Sequence, residues 1–210
     1  LDDALLAAVG RVHDKRGALK AFDVLREAKF DNIGLDFMWA LPGESLESWK
    51  AQLAEAVALG PEHFSCYGLT LEEGTPLYLS RHALALPGEN ESAAMYEEGG
   101  ALLESAGYEQ YEISNFAKVG RQSRHNRIYW QAEEYLGMGL GAHSYMDGKR
   151  FHNSYDLQKY ISAKGDTSLL REDTELITET DALAEFMFLG LRLTEGVSFV
   201  RFRQRFGKEM

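Results

Sequence analysis

The stretch Ser123–Trp130, SRHNRIYW, sets His125 and Asn126 between Arg124 and Arg127 and closes on Tyr129 and Trp130. An imidazole can ligate haem iron, tyrosine and tryptophan rings can stack on a flat macrocycle, and guanidinium groups pair with carboxylates. The competing reading is a polar turn followed by two core aromatics. Asp36 is the second candidate, a carboxylate inside the apolar run NIGLDFMWALPG. A buried charge is costly unless it is paired. Such an aspartate either faces a ligand at the C-terminal end of a barrel strand or bonds a helix N-terminus or an arginine, and residue physics leaves both open.

Other chemistry is sparser. GMGLGAHS carries Gly137, Gly139 and Gly141, but the third glycine falls one position early for a dinucleotide-binding loop. Close backbone approach to a strand or ligand is the expectation there. His143 lies on the same stretch and is the rival imidazole to His125, because glycines beside it leave room for a flat ligand. His13, His63, His82 and His152 are the remaining histidines; none forms an H-E-x-x-H pair, and no Cys/His spacing fits zinc. No G-x-S-x-G elbow anchors a hydrolase triad. The single cysteine, Cys66, makes no internal disulfide, which fits a reducing cytoplasm. It cannot by itself hold an iron–sulfur cluster, which takes about three or four thiolates.

The elements that must position these residues follow from periodicity. Helices are expected over ALLAAVGRVH, over RGALKAFDVLREAKF with Ala18, Phe22, Leu25 and Ala28 near helical spacing, and over SLESWKAQLAEAVALG with Ser45 as its cap. NIGLDFMW and HFSCYGLTL read as strands between them, so helix and strand alternate as in parallel α/β units. ESAAMYEEGGALLESAG reads as a helix weakened by Gly99 and Gly100, and YEQYEIS as an edge strand. A glycine-rich strand and a turn at Asp147-Gly148 follow, and from Tyr155 onward the sequence reads as helical, with Ser154 as a cap. The expected divisions are 1–80, 81–154 and 155–210. With 210 residues, 45% hydrophobic and 26% charged, the chain has the makings of a sizeable core. A net charge of −11 argues against general nucleic-acid binding. No apolar run reaches a membrane-spanning ~18 residues, and no secretory leader opens the chain, so a cytoplasmic protein is expected.

Four stretches in order, NIGLDFMWALPGES, YGLTLEEGTPL, YEISNFAKVGRQSRHNRIYW and YLGMGLGAHSY, resemble radical S-adenosylmethionine proteins related to oxygen-independent coproporphyrinogen III oxidase, and among them the haem chaperone branch. The resemblance runs from Val9 to about Phe199. It implies an α/β fold: the C-terminal part of a partial (β/α)6 TIM-like barrel, with extra strands and a helical C-terminal region. It implies that a C-x-x-x-C-x-x-C motif for a 4Fe-4S cluster lies upstream, in a longer protein that also binds S-adenosylmethionine. Asp36 matches the family aspartate that contacts S-adenosylmethionine. His125, Asn126, Tyr129 and Trp130 match an H-N-x-x-Y-W motif for haem, with His125 as the iron ligand and Arg124 or Arg127 toward the propionates. The sequence departs from the family pattern at Trp39-Ala40, where Tyr-Gly is usual, and at Glu44, where Gln is usual. The implied function is haem binding and delivery to acceptor proteins. The alternatives are oxidative decarboxylation of coproporphyrinogen III and a scaffold with no ligand of its own.

Overall fold

A computed structural model describes residues 1–209. The chain forms two compact units, residues 1–122 and residues 123 onward.

In the first unit, α1 (Asp3–Ala8) and α2 (Lys15–Glu27) precede β1 (Gly34–Trp39), α3 (Leu46–Ala58) and β2 (His63–Gly68). The short α4 (Pro76–Leu79) leads to the long α5 (Glu89–Ser105), β3 (Glu109–Glu112) and β4 (Asn115–Ala117). The sheet order is β1-β2-β4-β3. β1 and β2 run parallel with α3 between them in the chain, and β4 is antiparallel to both β2 and β3. Ser45 Oγ caps α3 by accepting from Ser48 N, as its sequence predicts. Gly60, just past the end of α3, adopts φ +72°, the left-handed conformation that terminates helices.

One face of this sheet is closed by α3 and α5. Trp49, Leu53, Ala56, Phe64, Cys66, Met95, Leu103, Tyr108 and Phe116 form the buried core, with Leu35, Phe37 and Trp39 packed against it. The Trp49 indole donates to Met95 O at 2.9 Å across α3 and α5. This explains the glycine pair that sequence reading treated as a weakness. A Cβ at Gly99 would stand 2.6 Å from Trp49 Nε1, whereas one at Gly100 would meet only Phe116 at 3.7 Å. On α2 only Phe22 is buried; Leu25, near helical spacing from it, is exposed.

The opposite face of the sheet is polar. His63 is buried there and its Nε2 shares a 2.8 Å hydrogen bond with the Tyr111 hydroxyl. Burial pushes the His63 imidazole below the ordinary histidine range, against the opposing pull of Asp36 and Glu112.

In the second unit, α6 (Arg124–Trp130) is followed by the hairpin β5 (His143–Met146) and β6 (Lys149–Asn153), then α7 (Leu157–Ser162), β7 (Arg171–Leu176), α8 (Glu179–Gly190) and α9 (Phe199–Phe206). The hairpin turns at Asp147-Gly148, both at positive φ, as the sequence predicts. The expectation of an all-helical region after residue 154 is corrected. β7 pairs with β6 as the third strand of this sheet. Its sequence, REDTEL, is mostly exposed and carries no apolar alternation, so nothing in its pattern marks a strand. The cap of α7 is Asp156, not Ser154. On α8, Phe186 is buried against Phe202 and Phe206 of α9, but Leu191 is exposed. Arg150 fastens β6 to α8, donating to both Glu185 oxygens at 2.9 Å. Among the described residues no helix is long and apolar enough to cross a membrane.

Two predictions follow from the first unit's packing. Gly99→Ala, which forces Trp49 off Met95, is expected to cost about 1–3 kcal/mol. Gly100→Ala is expected to gain up to about 1 kcal/mol of helix propensity. Chemical denaturation of the two variants checks both. A lowered His63 imidazole means that the unfolded chain takes up its proton first. Below about pH 6.5 acidification therefore draws stability away, until the pH passes the folded value. The difference between wild type and His63→Gln in melting temperature against pH should show that loss. Taking the difference separates it from His152, which is raised and contributes with the opposite sign.

Candidate functional site

Strand register assembles the first group of candidates. Asp36 is level with Ser65, Ser65 with Asn115, and Asn115 with Glu112, so a row of polar side chains crosses the face turned away from α3 and α5. Ser65, Glu112 and Asn115 are buried. Glu112 Oε1 accepts from Ser114 N at 2.9 Å and from Asn115 Nδ2, which leaves Asn115 Oδ1 buried without a partner. Asp36 itself is exposed, contrary to the buried strand carboxylate expected from its apolar run. Asp36 alternates with Leu35 and Phe37, whose side chains reach the core, so its own side chain lies on the opposite face of β1. Asp36 lines a cleft of about 350 Å³ together with Leu5, Val9, Phe22, Met38 and Leu41. Cys66 points the other way, into the core, and burial pushes its thiol up to about 12. Glu44, at the turn after β1, is buried and accepts from Leu41 N and Gln52 Nε2 at 3.1 Å each. Burial raises its carboxyl above the usual range, and those hydrogen bonds oppose the shift.

HNRIYW lies on a helix, not on a turn. Ser123 Oγ accepts from Asn126 N and starts α6. His125 and Tyr129 are four residues apart and so share a helix face. Their Nε2 and hydroxyl share a 3.0 Å hydrogen bond, and their rings meet edge-on at 4.9 Å. Tyr129 is braced from behind by Tyr135, 4.6 Å between centroids. His125 and Arg124 are exposed, and Asn126, Tyr129 and Trp130 are half-buried. Arg127 is committed to Glu195 at 2.7 Å. Trp130 lies beneath Arg192, 4.2 Å from guanidinium to ring, and its buried Nε1 has no partner.

A second tyrosine–histidine pair, Tyr155 and His143, escaped sequence reading. Their hydroxyl and Nε2 are 3.1 Å apart. Strand pairing sets His143 opposite His152, whose ring lies 5.2 Å from it and 4.8 Å from that of Tyr155. His152 is held by Asn153 O at 2.8 Å and by Asp173 at 3.0 Å, and these two acceptors raise its imidazole above the ordinary range. Asp173 reaches it from a bulge in β7, at φ +48°. No local spacing signals the pair, because hairpin register, not sequence proximity, makes it. The glycines of GMGLGAHS do serve close approach. A Cβ at Gly137 would meet His143 O at 2.1 Å, and one at Gly141 would meet the Tyr155 ring at 2.6 Å.

Residues 177–210 match the HemN C-terminal domain family. Over its full length the chain is 40% identical to the heme chaperone HemW of Bacillus subtilis (strain 168), covering 56% of that protein. It is 33% identical to HemW of Escherichia coli (strain K12), with 94% of the chain and 52% of the relative aligned. It is 35% identical to the mitochondrial radical S-adenosyl methionine domain-containing protein 1 of Danio rerio, with 92% of the chain and 46% of the relative aligned. The solved structure of coproporphyrinogen III oxidase (HemN) from Escherichia coli, a radical SAM enzyme, matches 98% of the chain and 50% of its own at a TM-score of 0.77. That likeness, at 16% identity, is one of fold. The chain spans about half the length of the curated relatives it matches. Sequence and fold together place the chain in the HemN-like family of radical S-adenosylmethionine proteins, near its HemW members.

Proposed function

We propose that this chain is the haem-handling part of a HemW-like protein that binds haem and passes it to acceptor proteins. The observation that carries the reading is the 40% identity to a heme chaperone across the whole chain. The first unit is then the later β/α portion of a partial (β/α)6 barrel; its parallel β1 and β2, connected through α3, fit that architecture. S-adenosylmethionine carries hydroxyl and amino donors. Asp36, an exposed carboxylate on an apolar-walled cleft, is a fitting acceptor for them. Cys66 does not fit a cluster. It is the chain's one cysteine, buried, with a thiol held protonated. A 4Fe-4S cluster therefore belongs to residues outside these 210.

Haem is the cargo. His125 offers an imidazole, Tyr129 and Trp130 offer rings, Asn126 a polar contact, and exposed Arg124 a cation for a propionate, since Arg127 already has Glu195. Ligation through His125 Nε2 requires that it leave Tyr129.

Titration of the chain with ferric haem tests this. His125→Ala is expected to shift the Soret band, and Trp130→Ala to weaken binding about tenfold, or ~1.4 kcal/mol, without changing the ligation signature. A lowered melting temperature with an unchanged haem spectrum in His125→Ala would mark these residues as merely structural. For cofactor binding at Asp36, the longer cluster-loaded protein is the sample. Asp36→Asn in this chain should change its stability by no more than about 0.5 kcal/mol, as for an exposed site, and in the longer protein it should weaken S-adenosylmethionine binding at least about tenfold by calorimetry. Unchanged affinity would exclude Asp36 from the cofactor site.

A further inference from the structure

We infer that Tyr155 and His143 form a second ferric-haem site in the 123-onward unit, with the Tyr155 phenolate as iron ligand and His143 as the base that takes its proton. The inference rests on the haem reading above and adds a ligand and a site to it.

Phenolate oxygen is a known axial ligand of haem iron, and as a hard anion it suits the ferric state. What a protein must supply is an accessible phenol, a nearby proton acceptor and an apolar seat for the macrocycle. Tyr155 supplies the first, since it is 64% exposed. His143 Nε2, 3.1 Å from the hydroxyl, supplies the second. On binding, the phenol O–H breaks, its proton goes to His143, and the oxygen lone pair forms the Fe–O bond in place of a water on the iron, which stays ferric throughout.

The pair is built, not incidental. The Tyr155 ring is seated on His152 at 4.8 Å and against Gly141, where a methyl group would collide with it at 2.6 Å. His152 is itself fixed by Asn153 O and by Asp173 from the β7 bulge. The third requirement is met by the glycine loop. Asn153 Nδ2 donates to Gly137 O at 3.3 Å and to Gly139 O at 2.8 Å, and Gly141 N donates to Ser154 O. The loop is thereby tied to the end of β6, next to Tyr155, and it presents Leu136, Met138 and Leu140 to solvent, Met138 at 88% exposure. These exposed apolar side chains beside Tyr155 offer a porphyrin face an apolar surface to rest on. The Tyr129–His125 pair has similar hydrogen-bond geometry but lacks the exposure, because Tyr129 is half-buried against Tyr135.

The test is ferric-haem titration of the chain, read by absorbance and by resonance Raman. Wild type should bind two equivalents, one of which shows phenolate-to-iron charge transfer. Tyr155→Phe should lose that equivalent and that absorption, with an unchanged melting temperature. His143→Gln should weaken it about tenfold, while His125→Ala should leave it intact. If charge transfer persists in Tyr155→Phe, the inference is overturned. One equivalent that depends on His125 alone overturns it too, yet leaves the proposed function standing; no haem binding at all overturns both. The same absorption from ferric nitrilotriacetate without porphyrin would make this an iron site and overturn the haem assignment.

Discussion

The first unit depends on one close approach: the Trp49 indole lies against α5 where residue 99 has no side chain, and donates to Met95 O. That contact sets the spacing of α3 from α5, and the two helices together cover one face of the sheet. Leu35, Phe37, Phe64, Cys66 and Phe116 are drawn to that side. Alternation along a strand then leaves no choice for the rest. Asp36, His63, Ser65 and Asn115 must share the other face, in rows that register fixes. The polar face is thus a consequence of how the apolar one is closed.

The second unit follows a different rule. Its three-stranded sheet is anchored to α8 by the Arg150–Glu185 pair, while the residues of chemical interest gather where elements end: at the first turn of α6 and at the end of β6. In both places a histidine Nε2 shares a hydrogen bond with a tyrosine hydroxyl. An imidazole so engaged is oriented, and its availability to a metal is coupled to where the phenol goes. The pairs differ in what holds the tyrosine. Tyr135 braces Tyr129, whereas Tyr155 lies between solvent and the immobilised His152. The difference in exposure comes from these neighbours, not from the pairs themselves.

Much of this was legible in the sequence wherever a local rule decided it. Ser45 and Gly60 bracket α3, Asp147-Gly148 turns the hairpin, and the apolar runs of β1 and β2 became adjacent parallel strands. What escaped was set by non-local pairing. β7 has no apolar alternation and exists because β6 offers it an edge. Asp36 sits in an apolar run yet is exposed, because alternation gives the core side of β1 to Leu35 and Phe37 and the other side to Asp36. HNRIYW gave its residue types plainly, but its helical spacing, and with it the His125–Tyr129 bond, needed Ser123 to be recognised as a cap. Tyr155 entered the sequence reading only as a boundary marker, since only hairpin register brings His143 and His152 to it.

The departures from the family pattern now have physical meaning. Ala40 adopts φ +58°, a left-handed conformation in which a side chain costs about 1–2 kcal/mol, so the glycine usual there is the unstrained choice. Trp39 beside it donates to Cys66 O and presses on Gly68, where a Cβ would stand 3.0 Å from its ring. The larger indole is accommodated on the core side of β1, away from Asp36, so its bulk does not narrow the cleft that Asp36 lines. Glu44 replaces a neutral amide with a buried acid that holds Leu41 N. Because burial raises that acid, ionising it costs the fold stability as pH rises through the unfolded carboxyl value toward the folded one. These substitutions therefore act on the turn that links β1 to α3, through strain and charge, and leave the face that carries Asp36 with the side chains that alternation assigns to it.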